Sequence, residues 1–463
     1  MAAVSDYRAL LSGASWYQQD LAGKPVILTY SFDQISPSYY AQQYAGAVGS
    51  FAALNNTEKD VVRSALQQWS AISGVQFVET TKHEGDITFS FYNLDAMGFS
   101  NAAGLATPPT GFAYSSSGQT GTYSGDYLLS GDVWFDSSLK NATNTDFLSH
   151  VALHEIGHAL GLKHPHDIDP SHPYTLTSET DTGSNTVMSY KSPSATHLGP
   201  MDVAVAQYIY GSADVKGTQF SSWGFDAAAE RLVAHGTAAG ELLRGTGADD
   251  VIYSEGGKDI IATSQGNDTI VAQGQSLDIN GGSGVDTVIT GLTLTSPDQL
   301  GGSGNFRYMS ASGGNQTYID IERFVFTNDT IAVDVQGNAG QVYRLYQAAF
   351  ARTPDKAGLS HNVHLVDQGI SLHDMAAAFT VSAESQTRYG ANPSDSTFIT
   401  ALYANVLGRA PDPTGNAGWL QLLGSHQYDR AGVLIGFSES PENHAKVDPS
   451  IAAGIHLDYG AFA

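Results

Sequence analysis

The sequence predicts a multidomain chain with an α+β N-terminal domain, a β-rich middle domain and an all-α C-terminal domain. Three observations carry this prediction. In the first half, one long stretch places apolar residues at helical spacing, and several short stretches around it alternate like strands. From Leu243 to Thr290 the composition turns to Gly, Asp and single aliphatics with a period near nine. From Gln341 onward a helical texture takes over and carries a second, longer repeat. The domains read as 1–215, 216–335 and 340–463, since 463 residues are too many for one ordinary core.

Composition narrows the function. The net charge of -25 argues against a nucleic-acid partner, which needs clustered Lys and Arg. An acidic chain suits hard cations such as calcium. There is no cysteine, so any zinc must be held by His and carboxylate. The start, "MAAVSDYRALLSG", has neither a basic n-region nor an apolar h-region, so it does not read as a secretory signal peptide. No apolar run approaches the length of a transmembrane segment.

The elements follow in order. "PVILTYSF" (Pro25 to Phe32) reads as a strand. "TEKDVVRSALQQWSAIS" reads as an amphipathic helix with Thr57 as N-cap and Val61, Val62, Ala65, Leu66, Trp69 and Ile72 at helical spacing. "VQFVET" and "GDITFSFY" alternate as half-buried strands, the second with Ile87, Phe89 and Phe91 on one face. "GDVWFD" is a further strand. A helix follows, with Thr145 as N-cap and Gly161 as its stop. Residues 216 to about 240 read as a poorly patterned connection.

That last helix holds the chemistry. "HVALHEIGHALGLKHPH" packs five histidines into seventeen residues. His154 and His158 stand four apart, which stacks both imidazoles on one helix face within reach of one ion. Glu155 can flank that ion without ligating it and hold a water as general base. Gly161 lets the chain fold back so that His164 supplies a third nitrogen. A bare H-E-x-x-H arises by chance in roughly one such sequence in fifty, and the full H-E-x-x-H-x-x-G-x-x-H in roughly one in 10,000. His150 lies a further turn back and reads as a packing residue. His166, beyond Pro165, reads as solvated. Three protein ligands leave a fourth position for water, the arrangement of a catalytic rather than a structural zinc.

On these residues the chain resembles the metzincin zinc endopeptidases, and within them the serralysin family of secreted bacterial proteases. "NTVMSY" (Asn185 to Tyr190) matches the family's Met-turn, and "GPMDVAVAQYIYG" and "ALLSGASWY" are similar to family segments. The resemblance covers about residues 8 to 290. It implies a metzincin catalytic domain with one catalytic Zn²⁺ on His154, His158 and His164, and Glu155 as general base. It places Met188 beneath the ligands. It makes Tyr190 a zinc ligand at rest that swings away during turnover and helps stabilise the oxyanion. It also makes Gly104, Leu105 and Ala106, within "GLATPPTGF", the edge strand on which an extended substrate lies. The segment from Pro165 to Met188 departs from the family, with His166, Asp167 and Ile168 where a Gly-Asp-Tyr run is usual. Substrate preference is therefore not carried over.

The middle domain follows the calcium β-roll pattern G-G-x-G-x-D-x-U-x. "RGTGADDVI" supplies Asp249 and Val251, "SEGGKDIIA" Asp259 and Ile261, "TSQGNDTIV" Asp268 and Ile270, and "GGSGVDTVI" Asp286 and Val288. Between the last two lies a repeat that keeps the length but loses the Gly and Asp of the pattern at their positions. The four aspartates are candidate ligands for one to four structural Ca²⁺ ions. Such repeats resemble those of proteins exported by type I secretion machinery, which reads an uncleaved C-terminus; "HLDYGAFA" is compatible with that route.

In the C-terminal domain, "LYQAAFARTPDKAG" and "LYANVLGRAPDPTG" match at an offset of 57, and the match returns at Phe379, Ser382, Glu384 and Phe437, Ser440, Glu442. Each unit reads as helix, R-x-P-D turn, helix, with Arg352, Asp355, Arg409 and Asp412 as turn and cap residues and Pro413 at a first helical position. The units resemble a helical domain of undefined role found in bacterial surface and secreted proteins, which suggests cell-surface attachment. The leading function is a secreted, extracellular zinc endopeptidase acting on protein or peptide substrates. The alternatives are a calcium-dependent surface or adhesion protein, and a surface-protein-processing protease with one native substrate.

Overall fold

In the computed structural model the described residues are 2–17, 22–37, 49–82, 84–109, 130–168, 170–191, 194–273, 277–296, 299–311, 314–458, 460 and 462. The end of "GLATPPTGF", from residue 110, and part of "HLDYGAFA" lie outside them. The chain forms two compact units, Met1–Asp268 with Gly274–Gly284, and Thr269–Gln273 with Val285–Ala463.

The first unit opens with β1 (Ala2–Val4), β2 (Val26–Phe32), α1 (Asn56–Ile72), β3 (Val75–Glu79), β4 (Ile87–Tyr92), β5 (Gly104–Ala106) and β6 (Asp132–Asp136). Next come α2 (Asp146–Ala159), β7 (Tyr174–Leu176) and α3 (Pro200–Tyr210). Five strands line up as β3-β2-β4-β6-β5. The pairs β2–β3, β2–β4 and β4–β6 are parallel, and β5 joins β6 antiparallel at the edge, Gly104 opposite Phe135. One core cluster joins Phe89, Phe91 and Val133 of the sheet to Val62, Leu66 and Trp69 of α1 and to Val151, Leu153 and Ile156 of α2.

Two sequence expectations change here. The cap of α1 is Asn55 rather than Thr57. The Asn55 carboxamide accepts the Glu58 N–H at 3.1 Å, and the Glu58 carboxylate accepts the Asn55 N–H at 2.7 Å. This reciprocal capping box satisfies two donors that the helix itself leaves open. Strand β4 is buried on both faces rather than half-buried. Ile87, Phe89 and Phe91 face the helices, while Tyr92 packs with Leu94 and Trp134 in a second cluster. Such burial suits a central parallel strand.

The connection at 216–240 is also structured. It forms the antiparallel hairpin β8 (Ser222–Asp226) and β9 (Arg231–His235). The Glu230 carboxylate at its turn accepts the backbone N–H groups of Thr81 and Lys82 at 2.8 and 2.7 Å. The repeats follow as β10 (Leu242–Arg244), β11 (Val251–Tyr253), β12 (Ile260–Ala262), β13 (Thr269–Val271), β14 (Asp278–Asn280) and β15 (Thr287–Ile289). In the first unit β10, β12 and β14 pair in parallel, as do β9 and β11. Each step joins residues 18 apart, so two nonapeptides make one turn of a roll.

This register sets one repeat apart from the others. Asp259, Asp268 and Asp286 each stand immediately before their strand, and the residue in that place before β11 is Asp250, not Asp249. Ile252 is the fully buried aliphatic of that strand, while Val251 is only partly buried. "RGTGADDVI" carries one extra residue between its glycines and its strand, and inward packing of Ile252 selects the second aspartate.

In the second unit β13, β15 and β19 (Arg323–Val325) run parallel, after which β20 (Thr330–Ala332) and β21 (Ile455–Leu457) continue antiparallel. Strands β16 (Leu300–Ser303), β17 (Phe306–Ala311) and β18 (Gly314–Ile319) form an antiparallel meander. The helices are α4 (Asn338–Phe350), α5 (Lys356–Asp367), α6 (Leu372–Thr380), α7 (Ala383–Tyr389), α8 (Asp395–Leu402), α9 (Pro413–Gly424), α10 (Arg430–Ser438) and α11 (Pro441–Ile451). The two internal repeats build the same cluster. Arg352 bonds Glu384 and Asp355 and lies 5.0 Å over the Tyr346 ring. Arg409 bonds Glu442 and Asp412 and lies 4.9 Å over Tyr403. Asp355 and Asp412 cap α5 and α9, as expected for turn and cap residues, and Pro413 opens α9. No helix among the described residues is long and apolar enough to cross a membrane.

One buried ion pair ties the repeats to the N-terminal sheet. Arg244, leading out of β10, bonds the Asp86 carboxylate at 2.7 Å, and its guanidinium lies 4.9 Å over Trp16. The same carboxylate accepts from Thr29 and from the Gly247 N–H. Asp86→Ala leaves the Arg244 cation buried without its partner. The expected loss is about 3–5 kcal/mol of unfolding free energy, measured by urea denaturation of the two proteins.

Candidate metal and active site

The site is built on α2, which is apolar on nearly every side and buried in the core. Thr145 stands at its N-cap but makes no side-chain bond; the Asn144 carboxamide accepts the Asp146 N–H at 2.9 Å instead. At the other end the Gly161 N–H donates to His158 O at 2.8 Å, and the Leu162 N–H to Gly157 O at 2.9 Å. This paired closure needs a left-handed residue, and Gly161 has φ +93°. A Cβ there would sit 2.2 Å from Ala14 O. Tyr210 and Trp16 donate to the carbonyls of Leu160 and Ala159 at 2.9 and 3.0 Å. The segments "ALLSGASWY" and "GPMDVAVAQYIYG" thus lock the end of the helix.

The fold-back brings His164 to the two helical histidines. Its Nε2 lies 3.1 Å from His154 Nε2 and 3.0 Å from His158 Nε2. The Nδ1 atoms decide the protonation. His154 Nδ1 faces Val187 O at 2.8 Å, and His158 Nδ1 faces Leu162 O at 2.8 Å. His164 Nδ1 faces the Asp167 carboxylate at 2.8 Å. All three partners can only accept, so each Nδ1 carries the proton and each Nε2 is a bare lone pair. The His164 lone pair stands about 3 Å from each of the other two with no proton between them, so they repel it. A tetrahedral zinc with bonds of about 2.0–2.1 Å needs nitrogens about 3.3 Å apart, so the donor set fits that ion. Burial lowers all three imidazole pKa values, His158 to about 4, which keeps them in the neutral form a metal requires.

The other expected residues fall as follows. Tyr190 is exposed at the mouth, with its hydroxyl 2.8 Å from His164 Nε2 and its ring stacked on His154 at 5.8 Å. Met188 is fully buried, and its sulfur occupies the space that a side chain at Gly157 would fill. Glu155 is buried in the wall of the cleft, and burial pushes its carboxyl up to about 8. Gly104 of β5 lies against it, so that a Cβ there would meet Glu155 Oε1 at 2.6 Å. The cleft, a cavity of about 760 Å³, is lined by Gly104, Leu105, Ala106, Glu155, the three histidines and Tyr190. His150 is buried outside the triad, with its Nδ1 donating to Ala195 O at 3.0 Å. His166 is solvated as expected, but its ring stacks on His164 at 5.3 Å.

Two residues escaped the sequence reading. Asp167 orients the third imidazole through the bond just described. Asp202 is fully buried at the start of α3 and accepts from the Val187 N–H at 2.9 Å and from Thr186 Oγ1 at 2.6 Å. It therefore holds the peptide whose carbonyl holds His154. A carboxylate three residues after the last histidine was a readable signal for Asp167, whereas nothing local marked Asp202.

The structure sets Asp259 apart from Asp250 and Asp268. Asp259 precedes a strand of the β10-β12-β14 ladder, whereas Asp250 precedes β11, which pairs with β9. Asp259 Oδ1 accepts the Glu241 N–H, 18 residues back, at 3.0 Å. Its Oδ2 is buried without a hydrogen-bond partner, and burial pushes the carboxyl up to about 6. That orphaned oxygen suits a hard cation. Asp268 Oδ1 accepts the Asp250 N–H at 2.7 Å, and Asp286 stands before β15 in the second unit. Asp249 instead accepts the Asn267 N–H at 2.7 Å.

Gly161→Ala should lower stability by roughly 1–3 kcal/mol, from left-handed strain plus the Ala14 clash. Because the closure carries His164, zinc retention should weaken with it; thermal melts with and without zinc read both effects.

Comparison with known proteins agrees with this geometry. The family model described as Matrixin matches residues 44–211, and that of the RTX calcium-binding nonapeptide repeat matches 235–270. A model described as a domain of unknown function (DUF4214) matches 332–388 and 376–447. A serralysin of Photorhabdus laumondii is 26% identical over 237 residues, 46% of this chain and 45% of its own length. Serralysin G of Dickeya chrysanthemi is 28% identical over 47% of this chain and 46% of its own. The metalloprotease AprA of Pseudomonas entomophila is 27% identical over 48% and 46%. These matches thus span less than half the length of each relative. The matrixin match implies a catalytic zinc and the repeats imply calcium. Residues 44–211 thus match a matrixin-type domain and residues 235–270 the calcium-binding repeat, and over a little under half its length the chain is similar to serralysins.

Proposed function

We propose that the chain is a secreted zinc endopeptidase that hydrolyses peptide bonds of protein substrates. The observation that carries this reading is the convergence of three bare Nε2 atoms in a cleft that also holds a buried carboxylate and a tyrosine hydroxyl. His154, His158 and His164 hold the zinc. When bound there, zinc lowers the pKa of its water and polarises a carbonyl. Glu155 takes the proton of the attacking water on its carboxylate and returns it to the leaving amine. The Tyr190 hydroxyl, 2.8 Å from His164 Nε2, would swing aside and donate to the developing oxyanion. Strand β5, at the free edge of the sheet beside Glu155, receives the extended substrate along Gly104, Leu105 and Ala106. Prolines at 108 and 109 keep that ladder short.

Calcium on the repeats stabilises the roll, with Asp250 joining Asp259, Asp268 and Asp286 as the residue in register. The three-part organisation at 1–215, 216–335 and 340–463, export by type I machinery and an extracellular site of action belong to the same proposal. They are supported by the repeat match and by the serralysin relatives. Attachment to a cell surface through the C-terminal helices is its most distant part.

Glu155→Gln should keep one zinc per chain by atomic absorption while hydrolysis of casein falls to background. Full activity in that variant would remove Glu155 from the mechanism. Tyr190→Phe keeps the ring and loses the hydroxyl; kcat on a quenched peptide should fall by roughly 10²-fold with little change in KM.

A further inference from the structure

We propose that His166 and Asp167 form a second, weaker transition-metal site at the mouth of the cleft, and that its occupation by Zn²⁺ inhibits the protein. The two side chains are already arranged for it. Asp167 Oδ2 is committed to His164, accepting both its Nδ1–H at 2.8 Å and its backbone N–H at 3.2 Å. That leaves Oδ1 facing His166 Nε2 at 3.8 Å. This is too long for a hydrogen bond. Two ligands of one tetrahedral zinc with bonds of about 2.0–2.2 Å stand about 3.4 Å apart, so a closing movement of about 0.4 Å admits the ion.

Neither ligand needs to be recruited from a mobile state. The His166 ring is stacked on His164 at 5.3 Å with an interplanar angle of 14°, and it lies 5.0 Å from the Tyr190 ring. Pro165 precedes it and limits the backbone. Both side chains are about half exposed, so an ion reaches them from solvent and water completes its coordination. His164, His166 and Asp167 offer ligand atoms within 4.8 Å of one another, a group that shares only His164 with the triad.

Inhibition follows from what the site shares with its neighbour. An ion on Oδ1 draws the Asp167 charge away from His164, whose basicity that carboxylate supports. The ion also stands against Tyr190, the residue that must move during turnover. Asp167 thus couples the two positions, so that free zinc above the need of the triad slows the protein that the first zinc activates.

This inference rests on the reading of the triad as the primary zinc site. The test is a Zn²⁺ titration of Glu155→Gln protein, which does not digest itself, in saturating calcium, with bound zinc counted against a chromophoric chelator. The expected result is one tight and one weak equivalent, with the weak one lost in Glu155→Gln/His166→Ala. A single equivalent in the parent, or an unchanged weak one in the double variant, overturns the second site. No zinc in either protein removes the triad reading, and this inference with it. In parallel, casein hydrolysis by protein carrying one zinc should fall as free zinc passes through the weak range, and His166→Ala should abolish that fall. A fall that persists in His166→Ala overturns the inhibitory role.

Discussion

The arrangement on which the rest depends is a set of three Nδ1–H donors tied to three fixed acceptors. Val187 O, Leu162 O and the Asp167 carboxylate each take one proton, and together they turn three imidazole lone pairs toward one point. Without a cation, the point where they meet is electrostatically unfavourable. The chain accepts this because each imidazole is tied from behind by a bond that fixes both tautomer and ring orientation. Folding energy therefore holds open a position that the metal fills, a common bargain at functional sites.

Each acceptor is itself secured by a part of the chain distant from the imidazoles in sequence or in role. Leu162 O is placed by the closure at Gly161, which in turn depends on the approach of Ala14 and on the Ser12 hydroxyl donating to Gly161 O at 2.5 Å. Val187 O is placed by Asp202 at the start of α3. Lys163 fixes the strap beyond the helix by donating to Asp167 O and Tyr174 O at 2.6 and 2.9 Å. Segments from residues 12, 161, 174, 187 and 202 thus converge on three imidazoles. This explains why a motif of eleven residues works only inside a domain of some two hundred.

The sequence exposed the parts whose logic is local. His154 and His158 share a face because the helix repeats every 3.6 residues, and Gly161 advertises a left-handed stop. Both readings hold. The bonding partners were illegible wherever they came from a distance or from a choice between equals. Asn55 and Thr57 are both fair N-caps, and only the reciprocal bond with Glu58 selects Asn55. Asp249 and Asp250 are adjacent, and only the inward face of Ile252 selects Asp250. The hairpin at 222–235 lacked a recognised pattern because β8 is exposed on alternate residues and packs few apolar groups. What holds it is Glu230, bonded to a loop some 150 residues away, and no periodicity announces such a bond.

The same long-range bonding changes how the repeats relate to the site. The β10-β12-β14 ladder is anchored where Arg244 and Gly247 meet Asp86, and Asp86 in turn fastens Thr29 of β2. Glu230 makes a second junction at the far end of β3. An ion pair buried this fully contributes little net stability compared with apolar packing, but removing one partner is costly. Its effect is therefore to fix register. The first repeat can dock on the sheet in one way only, and β4, which Asp86 adjoins, pairs with the β6 strand that carries β5 beside Glu155. The ladder is thus hydrogen-bonded, through Asp86, to the sheet that borders the cleft. Within the first unit the repeats are an extension of the N-terminal sheet's own hydrogen-bond network rather than a separate appendage.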